Sequence, residues 1–176
     1  MLILVTGGAA SGKSEHGERI MCEKAQKRLY LATMQPFGRA AEARIARHRA
    51  LRAGKGFDTV ERTLDLAHLA LSQRYDGILL EDLGNLLANE LFAPEGAGEK
   101  TAFDTILAGV ENLQKYCEIL VIVSNEIFSD GVPYPPETLQ YIKILGELHQ
   151  ALTEQADAVY ESVCGILLPI KEGKQP

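Results

Sequence analysis

The sequence predicts an α/β domain with a mainly parallel sheet flanked by helices. Short apolar runs alternate with longer segments of helical period, as in chains built from strand–helix–strand units. The run in "EILVIVSNE" is continuously apolar, the mark of a strand covered on both faces. The first run, in "MLILVTGGAASGKSEHGE", falls directly into a glycine-rich turn that ends in Lys13 and Ser14.

Each element follows from its own signal. Leu2 to Thr6 reads as the first strand and Ser14 to Lys27 as the helix behind it. Arg28 to Thr33 is a second strand. Ala40 to Arg52 is helical, and "AGKG" at Ala53 to Gly56 stops it. Phe57 to Glu61 is a short extended piece and Leu64 to Gln73 a helix. Gly77 to Glu81 is a buried strand that stops at two acids. Leu83 to Phe92 and Lys100 to Lys115 are helices joined by the polar linker "APEGAGE". After "EILVIVSNE" and the proline-rich "SDGVPYPPE", a helix runs from Glu137 to Gln155. Ala158 to Val163 and Gly165 to Ile170 close the sheet as an antiparallel edge turning at Gly165.

With 176 residues the chain suits one nucleotide-binding domain over 1–176, without repeats or an internal boundary. Its formal net charge of -6 argues against nucleic acid as the main partner. Cys22, Cys117 and Cys164 have no metal-type spacing and suit a reducing cytoplasm. No segment is apolar for long enough to span a bilayer.

Gly7, Gly12, Lys13 and Ser14 fit G-x-x-x-x-G-K-[ST] between a strand and a helix. The glycines let backbone N–H groups converge on a phosphate, and the helix N-terminus adds partial positive charge. Lys13 would reach the β- and γ-phosphates, and the Ser14 hydroxyl would complete a magnesium shell. Chance supplies such a match in roughly one chain in a hundred of this length, before the flanking elements are required. The site also needs a carboxylate at the end of a neighbouring strand. Glu81 takes that role and Asp82 caps the following helix, with Glu126 a weaker candidate for the metal.

"EARIARHRALR" places Arg44, His48 and Arg52 on one helical face with Arg47 beside them. Surrounding arginines disfavour the imidazolium, so His48 is a candidate neutral nucleophile beside groups that bind a triphosphate. The competing reading is a solvated helix face on which His48 does nothing. His16, two residues past the phosphate loop, is expected to face solvent; His68 and His149 fall on predicted helices.

Together "ILVTGGAASGKS", "YLAT", "ARIARHR", "ILLEDLGNLLANELF", "VIVSNE" and Val132-Pro133 resemble the bifunctional adenosylcobinamide kinase/adenosylcobinamide-phosphate guanylyltransferase family of cobalamin biosynthesis. The resemblance runs to about Ile170. It implies a RecA-like P-loop fold, a homotrimer, and two reactions. ATP or GTP phosphorylates adenosylcobinamide, and GMP from GTP then joins the phosphate through a guanylylated histidine. By the same resemblance Gly7, Gly8, Ala9, Ala10, Ser11, Gly12, Lys13 and Ser14 hold the triphosphate. His48 is the nucleophile and acts with Lys13. Thr33, Met34, Gln35, Arg49 and Arg52 lie near the nucleotide, Glu61 and Glu81 contact guanosine or metal, and Ser14 with Glu81 serves magnesium.

The chain also departs from the family pattern. Ala10 stands in place of an arginine, Leu51-Arg52-Ala53 in place of Gly-Arg-Pro, and Phe57 in place of a tryptophan. Phe128 and Asp130 replace glycines, and Ile142, Lys143 and His149 replace an Arg-Asp pair and an Asn. A single-activity kinase or nucleotidyltransferase, or a nucleotide-binding regulatory module, are the alternatives at this point.

Overall fold

A computed structural model describes residues 1–36, 45–50, 52–128, 131 and 133–172. Seven strands form one sheet: β1 Leu2–Gly7, β2 Arg28–Ala32, β3 Phe57–Glu61, β4 Tyr75–Glu81, β5 Cys117–Asn125, β6 Ala158–Val163 and β7 Ile166–Lys171. Their spatial order is β3-β2-β4-β5-β1-β6-β7, and every neighbouring pair is parallel except β6 with β7. The expected antiparallel edge is therefore present, turning through Cys164 and Gly165 at positive φ.

The helices are α1 Lys13–Lys24, α2 over residues 45–50, α3 Leu83–Phe92, α4 Ala102–Gln114 and α5 Pro136–Gln155. Position 52 is helical too, whereas 51 and the 40–44 part of the predicted helix, Arg44 included, lie outside the described residues. One sheet face is covered by α1, with Ile20 and Met21 packed on Ile3, Val5, Leu79, Val121 and Val123. The other is covered by α3, α4 and α5, whose Leu86, Ile106, Leu145 and Leu148 meet Leu4, Leu80, Leu120 and Ile122. Burial on both sides is why β1, β4 and β5 are nearly all apolar.

Two expectations are corrected. The first helix stops at Lys24 rather than Lys27, because the Asp76 carboxylate accepts from the backbone N–H of Gln26 (3.0 Å) and Lys27 (2.7 Å) and draws the chain into β2. Leu64 to Gln73 is not an α-helix. Only Leu66–His68 makes a 3-10 turn, entered through Asp65 at φ 52. Its carbonyls are claimed from outside: Asn112 donates to the backbone oxygens of Leu66 (3.0 Å) and Leu69 (2.8 Å). Apolar spacing alone did not reveal that competitor.

The parallel arrangement collects the C-terminal ends of β1, β2, β4 and β5 at one edge. Ligands of open α/β sheets bind at this edge.

Candidate active site

The loop between β1 and α1 is shaped by its glycines. Gly12 caps α1 at φ 94, a left-handed conformation that glycine adopts without strain. A Cβ at Gly7 would fall 2.5 Å from Ser11 Oγ and 2.6 Å from the Ser162 carbonyl, so nothing larger fits. Lys13 is buried, and its ammonium folds back to donate to the Gly8 carbonyl at 3.0 Å. That hydrogen bond holds the charge over the loop.

The loop is also braced from the far end of the chain. Ser162 Oγ donates to the Ser11 carbonyl at 2.8 Å, and the Gly165 N–H donates to the same oxygen at 2.9 Å. His16, expected to face solvent, is buried instead. Its Nε2 lies 3.1 Å from the Gly165 carbonyl, and Arg19 donates to its Nδ1 at 3.1 Å. His16 Nε2 thus carries the proton and ties α1 to the β6–β7 turn.

Glu81 ends β4 under the loop, and the Ser14 hydroxyl donates to its Oε1 at 2.6 Å. The following peptide is fixed by Thr33, whose hydroxyl donates to the Asp82 carbonyl (2.8 Å) and accepts from the Asp82 N–H (2.9 Å). Asp82 caps α3, accepting from Asn85 N at 2.6 Å. Thr33 is fully buried in this junction, so its side chain serves the scaffold. Glu126 turns its carboxylate to the Phe128 N–H at 2.8 Å and is not part of the loop cavity.

Two cavities meet at this edge. One is lined by Ala9 to Glu15, Arg47, His48 and Asn125. The other has a mostly apolar wall of Ala32, Met34, Pro36, Ile45 and Ala46, with Tyr30, His48, Arg49, Arg52, Glu61 and Glu81 completing it. Its volume of about 210 Å³ falls below the ~300–1,000 Å³ usual for whole small-molecule sites, so it has room for one flat ring system. His48 lines both cavities. Gln35, half-buried, lines neither.

The predicted arginine cluster is divided among tasks. Arg47 faces the loop cavity. Arg49 pairs with Glu61 of β3 at the rim of the apolar cavity. Arg52 is buried with its guanidinium 3.5 Å above the ring of Tyr30. Sequence reasoning missed Tyr30, a floor residue whose hydroxyl lies 3.5 Å from His48 Nδ1. Burial, and next the charge of Glu81, push its phenol far above the usual range, so it stays protonated. The available signal was "YLAT", where a lone tyrosine stands in an apolar strand two residues before its end at the site.

Comparison with known proteins places the chain in a family and a fold. The family described as cobinamide kinase / cobinamide phosphate guanyltransferase matches residues 3–170. The chain belongs to that family. The bifunctional adenosylcobalamin biosynthesis protein CobU of Salmonella typhimurium is 35% identical over 97% of this chain and 100% of its own length. CobP of Pseudomonas aeruginosa, named likewise as bifunctional, is 33% identical over 96% of each chain. Among solved structures, a prototypical ATPase of a type III secretion system superposes with a TM-score of 0.55 at 10% identity. It shares the P-loop ATPase fold; the match covers 96% of this family member and 56% of the ATPase chain.

Proposed function

We propose that this chain phosphorylates adenosylcobinamide with ATP or GTP and then transfers GMP from GTP to the product through a covalent intermediate on His48. The observation that supports this is the position of His48, which lines both the phosphate-loop cavity and the apolar cavity. A triphosphate held by the loop with its base in the apolar cavity puts its α-phosphorus beside the imidazole. Glu61 at that cavity's rim would accept from the N1–H and amino group of guanine, which adenine cannot offer together.

The chemistry follows as a double displacement. An imidazole nitrogen of His48 attacks the α-phosphorus, a P–N bond forms, and the bond to the bridging oxygen breaks to release pyrophosphate. Lys13 and the N–H groups of residues 9–14 take up the charge that develops on the departing phosphates. An oxygen of adenosylcobinamide phosphate then attacks phosphorus and frees the imidazole. In the kinase step the same loop holds the triphosphate and presents its γ-phosphate to the aminopropanol hydroxyl.

Magnesium fits the residues present. Ser14 Oγ and Glu81 Oε1 form an all-oxygen pair, and this ion typically takes one or two protein ligands and completes its shell with phosphates and water. Bound there, it would neutralise charge on the β- and γ-phosphates. We assign the protein to the cytoplasm on its three scattered cysteines and to a homotrimer on the family resemblance. No helix among the described residues is long and apolar enough to cross a membrane.

Intact mass after incubation with GTP and magnesium tests the reading. Wild-type protein gains an acid-labile GMP, and His48→Asn gains none while still phosphorylating adenosylcobinamide. Wild-type protein that binds GTP without gaining GMP would refute the transferase route. GMP retained on His48→Asn would place the nucleophile elsewhere.

A further inference from the structure

Helix α2, described over residues 45–50, carries His48 at the sheet edge, and its orientation depends on what grips it. One grip is the Arg49–Glu61 pair, in which both side chains are 61% exposed. Exposed pairs of this kind contribute little. The other reaches the phosphate-loop helix itself. Glu18 lies one turn beyond Ser14 on α1 and is 1% exposed. Its Oε2 accepts from Lys55 Nζ at 2.5 Å.

Lys55 sits in the turn directly after α2, tightly connected to it. Its backbone N–H donates to the Arg52 carbonyl at 3.0 Å, and Ala53 N–H donates to Ala50 at 3.2 Å. Gly54 and Gly56 on either side take φ values of 81 and 67, which let the turn bend Lys55 down to α1. Three residues back, the Arg52 guanidinium sits over the Tyr30 ring. The base of α2 is thus held at Lys55 and at Arg52, and His48 is one helical turn above Arg52.

A carboxylate this deeply buried is a poor choice for stability alone, since apolar side chains of similar size serve as well or better. What an ion pair adds is direction, because its two atoms meet in one arrangement. We propose that the Glu18–Lys55 pair is a positioning device that docks the His48 helix on the phosphate-loop helix, fixing the imidazole at the junction of the two cavities for guanylyl transfer. The inference rests on His48 being the nucleophile, and neither Glu18 nor Lys55 touches either cavity.

The test uses the double variant Glu18→Gln/Lys55→Met, which removes the pair without stranding a buried charge, alongside Lys55→Arg. Amide hydrogen exchange of residues 45–50 is read beside the rates of GMP uptake and of the kinase reaction. In the double variant we expect exchange in 45–50 to quicken about tenfold while that of α1 stays unchanged. Uptake of GMP should fall about 100-fold, the scale of a 1 Å misplacement, with kinase turnover within about threefold of wild type. Lys55→Arg should restore both. Unchanged exchange would overturn the proposal, whatever the rates, and so would faster exchange with GMP uptake at the wild-type rate. Faster exchange in the variant, together with a wild-type protein that takes up no GMP, would instead refute His48 as nucleophile and leave the docking role standing.

Discussion

The Ser14 hydroxyl donates to Glu81 Oε1 across 2.6 Å, joining the first turn of α1 to the end of β4, which lies two strands away from β1 in the sheet. The contact places a neutral donor and an acidic acceptor side by side below the bend of the phosphate loop. Replacing Glu81 by Gln keeps the shape and removes the charge. Both activities should then fall about 10–100-fold, with a higher magnesium requirement, as with other residues that support a metal. Rates measured across a magnesium titration check this; an unchanged titration midpoint would remove Glu81 from the metal site.

Gly7→Ala should damage the loop more than its small size suggests. The new methyl would meet Ser11 Oγ and the Ser162 carbonyl, and the latter is backbone of a paired strand that cannot swing aside. Overpacking of this kind costs about 1–3 kcal/mol. Thermal unfolding and GTP titration should both register it; a variant with wild-type affinity would mean that β6 yields.

Asp82 fixes three amide groups at once. Its carboxylate accepts from the backbone N–H of Asn85 and from the side chains of Asn85 (3.0 Å) and Asn125 (3.4 Å). Asp82→Ala should therefore cost more than an ordinary cap, about 2 kcal/mol, the upper end for such substitutions. Urea denaturation measures it. Because Asn125 lines the loop cavity, GTP affinity should weaken in the same variant, whereas a loss of stability alone would limit Asp82 to capping.

His149 gives the protein a pH signature in folding rather than in catalysis. Its Nε2 lies 2.7 Å from the buried Ser124 Oγ, and Phe128 packs edge-on against its ring at 5.4 Å. Burial holds its pKa down at about 4, against a smaller upward pull from Glu126. The unfolded chain, with an ordinary value near 6.5, binds more protons between the two values. Stability from this group is complete above pH ~6.5 and is lost as pH falls towards 4, by up to about 3 kcal/mol. Urea unfolding at several pH values should show that slope, and His149→Gln should flatten it. An equal slope in the variant would assign the acid sensitivity to other groups.

What the sequence made legible and what it concealed divide by range. Strands β1, β4 and β5 were readable because continuous apolar runs stop abruptly at glycine or acid, and the phosphate loop because its spacing is local. Asp82 was readable as a cap for the same reason. The contacts that finish the site were not. Tyr30, Glu18 and Lys55 look like ordinary strand, helix and turn residues until folding sets them beside one another. His16 looked solvent-facing because the partner that buries it, Gly165, lies 149 positions away. Leu64 to Gln73 carried helical spacing, yet Asn112 and Glu90 bind its backbone from other helices.

The bracing of Ser11 by Ser162 and Gly165 reaches beyond geometry. A motif written in the first fourteen residues acquires its final shape only when the hairpin around residue 165 has folded against it. During synthesis the loop therefore waits for nearly all of the sheet before it can grip a phosphate. Chains stalled on the ribosome before Ser162 should retain no GTP, although every residue of the motif has already emerged.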